Sequence, residues 1–89
     1  MFVSVIHRIS DPDKFRETVA ANVGKIPSDL RLPQYFSSDD HRTMVCLWEA
    51  PSVQRVKDFL EPLFTGVSVD EYVAVDQGAS SGLPTTQSV

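Results

Sequence analysis

Two histidines, one cysteine, two tyrosines and one tryptophan are the side chains of this 89-residue chain best suited to chemistry or aromatic recognition. His7 stands in an apolar run, FVSVIHRI at residues 2–9. A buried imidazole must find a hydrogen-bond partner, and once oriented it can act as a base near neutral pH. Tyr35 and Tyr72 can each bring a hydroxyl to a pocket mouth. His7, Tyr35 and Tyr72 therefore form the candidate catalytic set, with acid/base work as its chemistry. Met44, Cys46 and Trp48 alternate along one face of a second apolar run, TMVCLWE at residues 43–49. They form the candidate ligand-binding set, with the tryptophan ring available to stack on an aromatic molecule. His7, His41 and Asp39 are candidate ligands for a divalent transition metal. No motif fixes any of these geometries: HxxxH and CxxC spacings, a glycine-rich phosphate loop and a nucleophile elbow are all missing. Each set also has an ordinary structural reading. Cys46 suits a core as a small hydrophobe, the tyrosines suit edge strands, and His41 with its acidic neighbours suits a turn.

The elements that must position these residues follow from periodicity. Residues 2–9 read as a strand, with Val3, Val5, His7 and Ile9 on the more apolar face, the one expected under the helices. Ser10, Asp11 and Pro12 open a helix whose stripe is Phe15, Val19, Val23 and Ile26, with Gly24 and Pro27 as stop signals. Residues 30–37 form a weaker strand, and Pro33, which cannot donate to a ladder, assigns it to an edge. After turn residues 38–41, the run 43–49 reads as a central strand. Ser52 caps a second helix with the stripe Val53, Val56, Leu60, Leu63 and Phe64. Pro62 is expected to end or bend it near Leu60 or Glu61. Residues 67–76 read as the last strand, with a break anticipated at Asp70–Glu71. The expected organisation is one α+β domain at residues 1–76 and a polar tail at 77–89.

Right-handed crossovers turn the order β-α-β-β-α-β into a four-stranded antiparallel sheet of order 4-1-3-2, with both helices on one face. The opening strand FVSVIHRI running into SDPDKF, the central strand MVCLWEAPS and the closing strand DEYVAVD resemble the dimeric α+β barrel superfamily over residues 2–76. That resemblance implies a ferredoxin-like protomer, a homodimer formed sheet to sheet, and a cleft on the open sheet face. Superfamily members include monooxygenases, cyclases, isomerases, stress-response proteins and small metal-binding proteins, so the fold does not select a reaction. A separate argument also favours a dimer. The open face must carry Phe2 and Ile6 beside either Met44, Cys46 and Trp48 or Val45 and Leu47, a contiguous apolar patch in both cases.

Composition narrows the partners. Twelve acids against eight lysines and arginines leave a net charge of −4, the wrong sign for a phosphate-backbone partner. A single cysteine forbids an intrachain disulfide, which suits a cytoplasmic protein. No run approaches the length needed to span a bilayer, and the N-terminus lacks the pattern of a signal peptide. The expected ligands are thus a small apolar or aromatic molecule or a divalent metal ion, with no organic cofactor, and the expected partner is a second copy of the chain. Three functions remain open: a small-molecule or metal binder, a cofactor-free cyclase, isomerase or monooxygenase-like enzyme, and a purely structural dimerisation domain.

Overall fold

The computed structural model describes residues 1–85. Four strands, β1 (Phe2–Ile9), β2 (Arg31–Ser37), β3 (Thr43–Glu49) and β4 (Ser68–Ala74), alternate with two helices, α1 (Pro12–Asn22) and α2 (Val53–Phe64). The strands form one antiparallel sheet of order β2-β3-β1-β4, the expected 4-1-3-2 read from the other edge. The fold is a ferredoxin-like βαββαβ.

Local chemistry explains the boundaries. The Asp11 carboxylate accepts the Lys14 backbone N–H at 3.1 Å, with Pro12 at the first helical position. This satisfies one of the amides that the first helical turn leaves without a partner. Ser52 Oγ plays the same part for the Arg55 N–H at the start of α2. β2 occupies an edge, and its ladder with β3 slips between Arg31 and Gln34, where Pro33 cannot donate. β4 runs unbroken through Asp70 and Glu71, and pairing with β1 along its whole length overrides the polarity of that pair. Pro62 does not end α2, which continues to Phe64. Only the last turn lies beyond the proline, and the burial of Leu60 and Phe64 on either side offsets the one hydrogen bond it removes.

The core lies between the sheet and the helices. It joins Val3, Val5 and Ile9 of β1 and Cys46 and Trp48 of β3 to Phe15 of α1 and Val56, Leu60 and Phe64 of α2. His7 is on this same helix-covered face, the only buried polar residue among those described. A bidentate ion pair from Arg55 to Asp29, at 2.7 and 3.1 Å, ties α2 to the loop that enters β2. The two helices are not equally seated. Val56, Leu60 and Phe64 of α2 are all buried, whereas α1 buries only Phe15 and leaves Val19 exposed. The same stripe continues into a short 3-10 turn at Val23–Lys25, where Val23 is exposed as well.

The opposite face carries Ile6, Val45 and Leu47, with exposed Phe36, Val69 and Val73 around them and the Arg8–Glu71 ion pair among them. Phe2 also belongs to this face by register, opposite Glu49, yet it is fully buried and lies outside the core cluster. Residues 75–85 pass this end of β1, where the Val75 N–H donates to the Phe2 carbonyl at 3.0 Å. This run leaves β4 at one sheet edge, makes a 3-10 turn at Gln77–Ala79, and reaches β2 at the other edge. There Arg31 donates to the Thr85 carbonyl at 3.0 Å while pairing with Glu49. The tail is therefore docked up to Thr85, and its last four residues, 86–89, lie outside the described region.

Candidate functional site

His7 is held by the strand opposite. Register places it level with Asp70 on β4, and its Nδ1 lies 2.7 Å from Asp70 Oδ1. A carboxylate can only accept, so Nδ1 carries a proton, and in the neutral ring Nε2 keeps its lone pair. Ser68 Oγ donates to the same carboxylate oxygen at 2.7 Å and fixes its orientation. Rings of Phe15 and Phe64 stand 5.2 and 5.1 Å from the imidazole, one edge-on and one tilted, and clamp its plane. The result is an oriented imidazole, 2% exposed, whose Nε2 has no protein hydrogen bond among the described residues.

That imidazole lines a cavity of about 110 Å³ between the sheet and the helices. Met44, Cys46 and Trp48 form the floor along β3, and Leu60, Leu63 and Phe64 form one wall. The opposite side is the poorly seated stripe of α1, and the mouth lies toward edge strand β2. Val23 and Tyr35 mark it, both lining the cavity while remaining 61% and 62% exposed. An apolar protein cavity of roughly 150 Å³ accepts a benzene ring, so this space is of single-ring scale, and its open side lets a ligand extend outward.

The structure thus brings together most of the residues singled out in the sequence. His7, Tyr35, Met44, Cys46 and Trp48 share this cavity, which lies on the helical side of the sheet rather than in a cleft on the open face. Tyr72 does not line it. Its hydroxyl is buried without a hydrogen bond, and burial, with Asp70 and Glu61 nearby, pushes its pKa well above the usual phenol range. Antiparallel topology alone puts Asp70 at the same end of the sheet as His7, but sequence reasoning named neither Asp70 nor Ser68 as its partner. The cross-strand register is the only signal that pairs residues 63 apart.

The structure sets the three candidate metal ligands apart. His7 is buried beneath α1 and α2, whereas His41 and Asp39 are exposed in the turn between β2 and β3. Among the described residues, no group of three His, Cys, Asp or Glu side chains stands close enough to hold a metal ion. His41 has a backbone reason for its place, with φ at 61° in the left-handed region. Its N–H donates to the Ser38 carbonyl, while the Asp40 carboxylate accepts from Ser38 Oγ and the Arg42 N–H. Glycine adopts that conformation without a steric penalty. His41→Gly should therefore raise stability by up to about 1 kcal/mol in urea unfolding; a loss of stability would show that the imidazole does more than fill the turn.

Cys46 is a buried floor residue whose thiol is held protonated. Desolvation, with the Asp70 charge as a smaller contribution, pushes its thiol from 9.0 up to about 12. An unfolded chain ionises this thiol near pH 9 while the folded chain holds the proton. Stability is then flat below pH 9 and falls between pH 9 and about 12, where the unfolded state binds fewer protons. The loss approaches about 4 kcal/mol across those three units. In Cys46→Ala, denaturant midpoints measured from pH 8 to 11 should decline less steeply than in the parent. Equal slopes in the two proteins would contradict this origin.

No family model, curated protein or solved structure matches this chain. Among the described residues no helix is long and apolar enough to cross a membrane.

Proposed function

We propose that this protein binds a small, largely apolar molecule of single-ring size in the cavity between its sheet and helices, with one polar group of that molecule donating to His7 Nε2. The observation that carries this reading is the contrast within the cavity: an apolar wall interrupted by one imidazole, oriented from behind by Asp70 and open in front. Ligand pockets have this composition, apolar surface for affinity and a few placed polar groups for orientation. Phenol is the simplest probe. Its ring suits the cavity and its hydroxyl suits Nε2, so it should quench or shift the fluorescence of the single tryptophan, Trp48, on the floor. His7→Leu should weaken phenol binding by about tenfold while toluene binds as before. Equal affinity of both proteins for phenol would remove His7 from the site.

A second reading adds chemistry to the same cavity. A histidine with Nδ1 on a carboxylate and Nε2 without a protein partner among the described residues is arranged as a general base, so a ligand with an acidic O–H or C–H could be deprotonated there. Tyr35 at the mouth would then hold the ligand's outer end. This is the cofactor-free enzyme of the cyclase, isomerase or monooxygenase kind.

The open face supports a homodimer of the dimeric α+β barrel type. Phe36, Val45, Val69 and Val73 form an exposed apolar surface, and an isologous pairing sets Arg8 of each copy against Glu71 of the other, replacing the intrachain pair by a complementary crossed one. Sedimentation equilibrium should give twice the 9.9 kDa chain mass for the parent and a folded monomer for Phe36→Asp. A monomeric parent ends the dimer reading.

A further inference from the structure

The lining of the cavity divides in two by exposure. Around His7 it is closed, with Phe15, Cys46, Trp48, Leu60 and Phe64 all buried. At the mouth it is open. Val19, Val23 and Tyr35 line the same space while 37%, 61% and 62% exposed, and Ile26 and Leu32, also in the lining, are half-buried. These residues come from two sides: Val19 from α1 and Val23 from the 3-10 turn after it, Leu32 and Tyr35 from edge strand β2. An apolar track therefore runs outward from the closed part. The closed part has the scale of one ring, so a bare ring leaves the track wet. Exposed apolar surface continuous with a pocket marks the place of a further apolar part of the ligand.

The chemistry of the track selects that part. Among the described residues, no Lys, Arg, Asp or Glu lines the cavity, so a charged end would find no counter-ion there. The net charge of −4 further opposes an anion such as a fatty-acid carboxylate. Asn22 is in the lining too, but its Nδ2 is spent on the Thr18 carbonyl at 2.8 Å. Branched aliphatic side chains supply most of the surface. Register gives the span. Tyr35 is level with Cys46, two residues along β3 from Met44, the partner of His7. Two strand spacings across and two residues along set the backbones of His7 and Tyr35 about 12 Å apart. Resting on the ligand site proposed above, we infer that the bound molecule is an uncharged phenol with a short aliphatic chain opposite its hydroxyl. The ring lies over the β3 floor, and the chain leaves between Val23 and Tyr35.

Isothermal titration with phenol, 4-ethylphenol, 4-propylphenol and 2-propylphenol tests this. Each methylene of the para series should tighten binding about two- to fourfold, the upper figure corresponding to full burial. 2-Propylphenol is equally apolar but turns its chain into the closed wall, and it should bind about tenfold more weakly than 4-propylphenol. Val23→Asp places a charge beside the track and should cut the ratio of 4-propylphenol to phenol affinity to about a third or less. A direct readout in the parent covers the case in which that variant folds poorly: nuclear Overhauser contacts should join the terminal methyl of 4-propylphenol to the methyls of Val19 and Val23. Equal affinity for the two propylphenols, an unchanged ratio in Val23→Asp, or chain contacts with Val69 and Val73 on the open face instead, overturn the chain assignment and leave the ring site standing. Failure of all four probes to bind overturns both.

Discussion

Asp70→Ala should destabilise the fold by about 2–3 kcal/mol, read as a fall in the urea midpoint at unchanged slope. The change removes a carboxylate that accepts from His7 Nδ1 and from Ser68 Oγ, each at 2.7 Å, and leaves the imidazole donor buried with nothing to receive it. The asymmetry of buried hydrogen bonds makes a sharper test. Breaking one partner exposes the full desolvation penalty of the other, whereas replacing both by apolar groups can be nearly neutral. His7→Leu introduced into the Asp70→Ala background should therefore recover part of the lost stability, against the usual expectation that a second core change adds to the first. Asp70→Asn, which keeps an acceptor oxygen, should cost less than Asp70→Ala. Additive losses in the double variant would mean that the 2.7 Å contact does not hold His7 in solution.

The second large effect is expected at Phe2. Truncating this fully buried ring to alanine should cost about 3–5 kcal/mol, the range for large-to-small changes at buried aromatic sites. Its cover has a distinct source, because Phe2 faces away from the helices. We expect the chain after β4 to cover the ring, so removing residues 82–89, and with them Thr85, whose carbonyl receives Arg31, should cost about 1.5–3 kcal/mol. A shared contact would make the two changes non-additive. In Phe2→Ala, the same truncation should cost less than half of what it costs in the parent. Strict additivity would show that other atoms cover Phe2.

The topology was legible because separate signals agreed. Pro33 could only be tolerated at an edge, the run Thr43–Glu49 demanded a centre, and the order 4-1-3-2 that right-handed crossovers give satisfies both. The helix-facing side of β1 was legible too, since Val3, Val5, His7 and Ile9 are more apolar than their alternates. Less legible was the site. Strand alternation sets Met44, Cys46 and Trp48 on one face but does not say which, and it was β3's register with β1 that turned them toward the helices. The partner of His7 needed the register of β4 as well. The cavity itself depends on how far α1 seats on the sheet. The stripe Phe15, Val19, Val23 and Ile26 predicts contact along its full length, and the structure grants it mainly at Phe15. Pro62 misled for a simpler reason: a proline near a helix end removes one bond, and two buried neighbours hold the turn without it.

That uneven seating of α1 has a consequence for how the molecule breathes. Its C-terminal half buries little apolar surface of its own, and opening it breaks no sheet hydrogen bond. Local opening free energy scales with what is uncovered, so amides of residues 19–25 should exchange with deuterium well before those of α2 or β1. A ligand filling the cavity gives Val19 and Val23 a surface to rest on, and slowed exchange in this segment would be its signature. The cavity can then admit bodies larger than its resting volume, and the limit on ligand size is set by a helix that yields rather than by a sheet that does not.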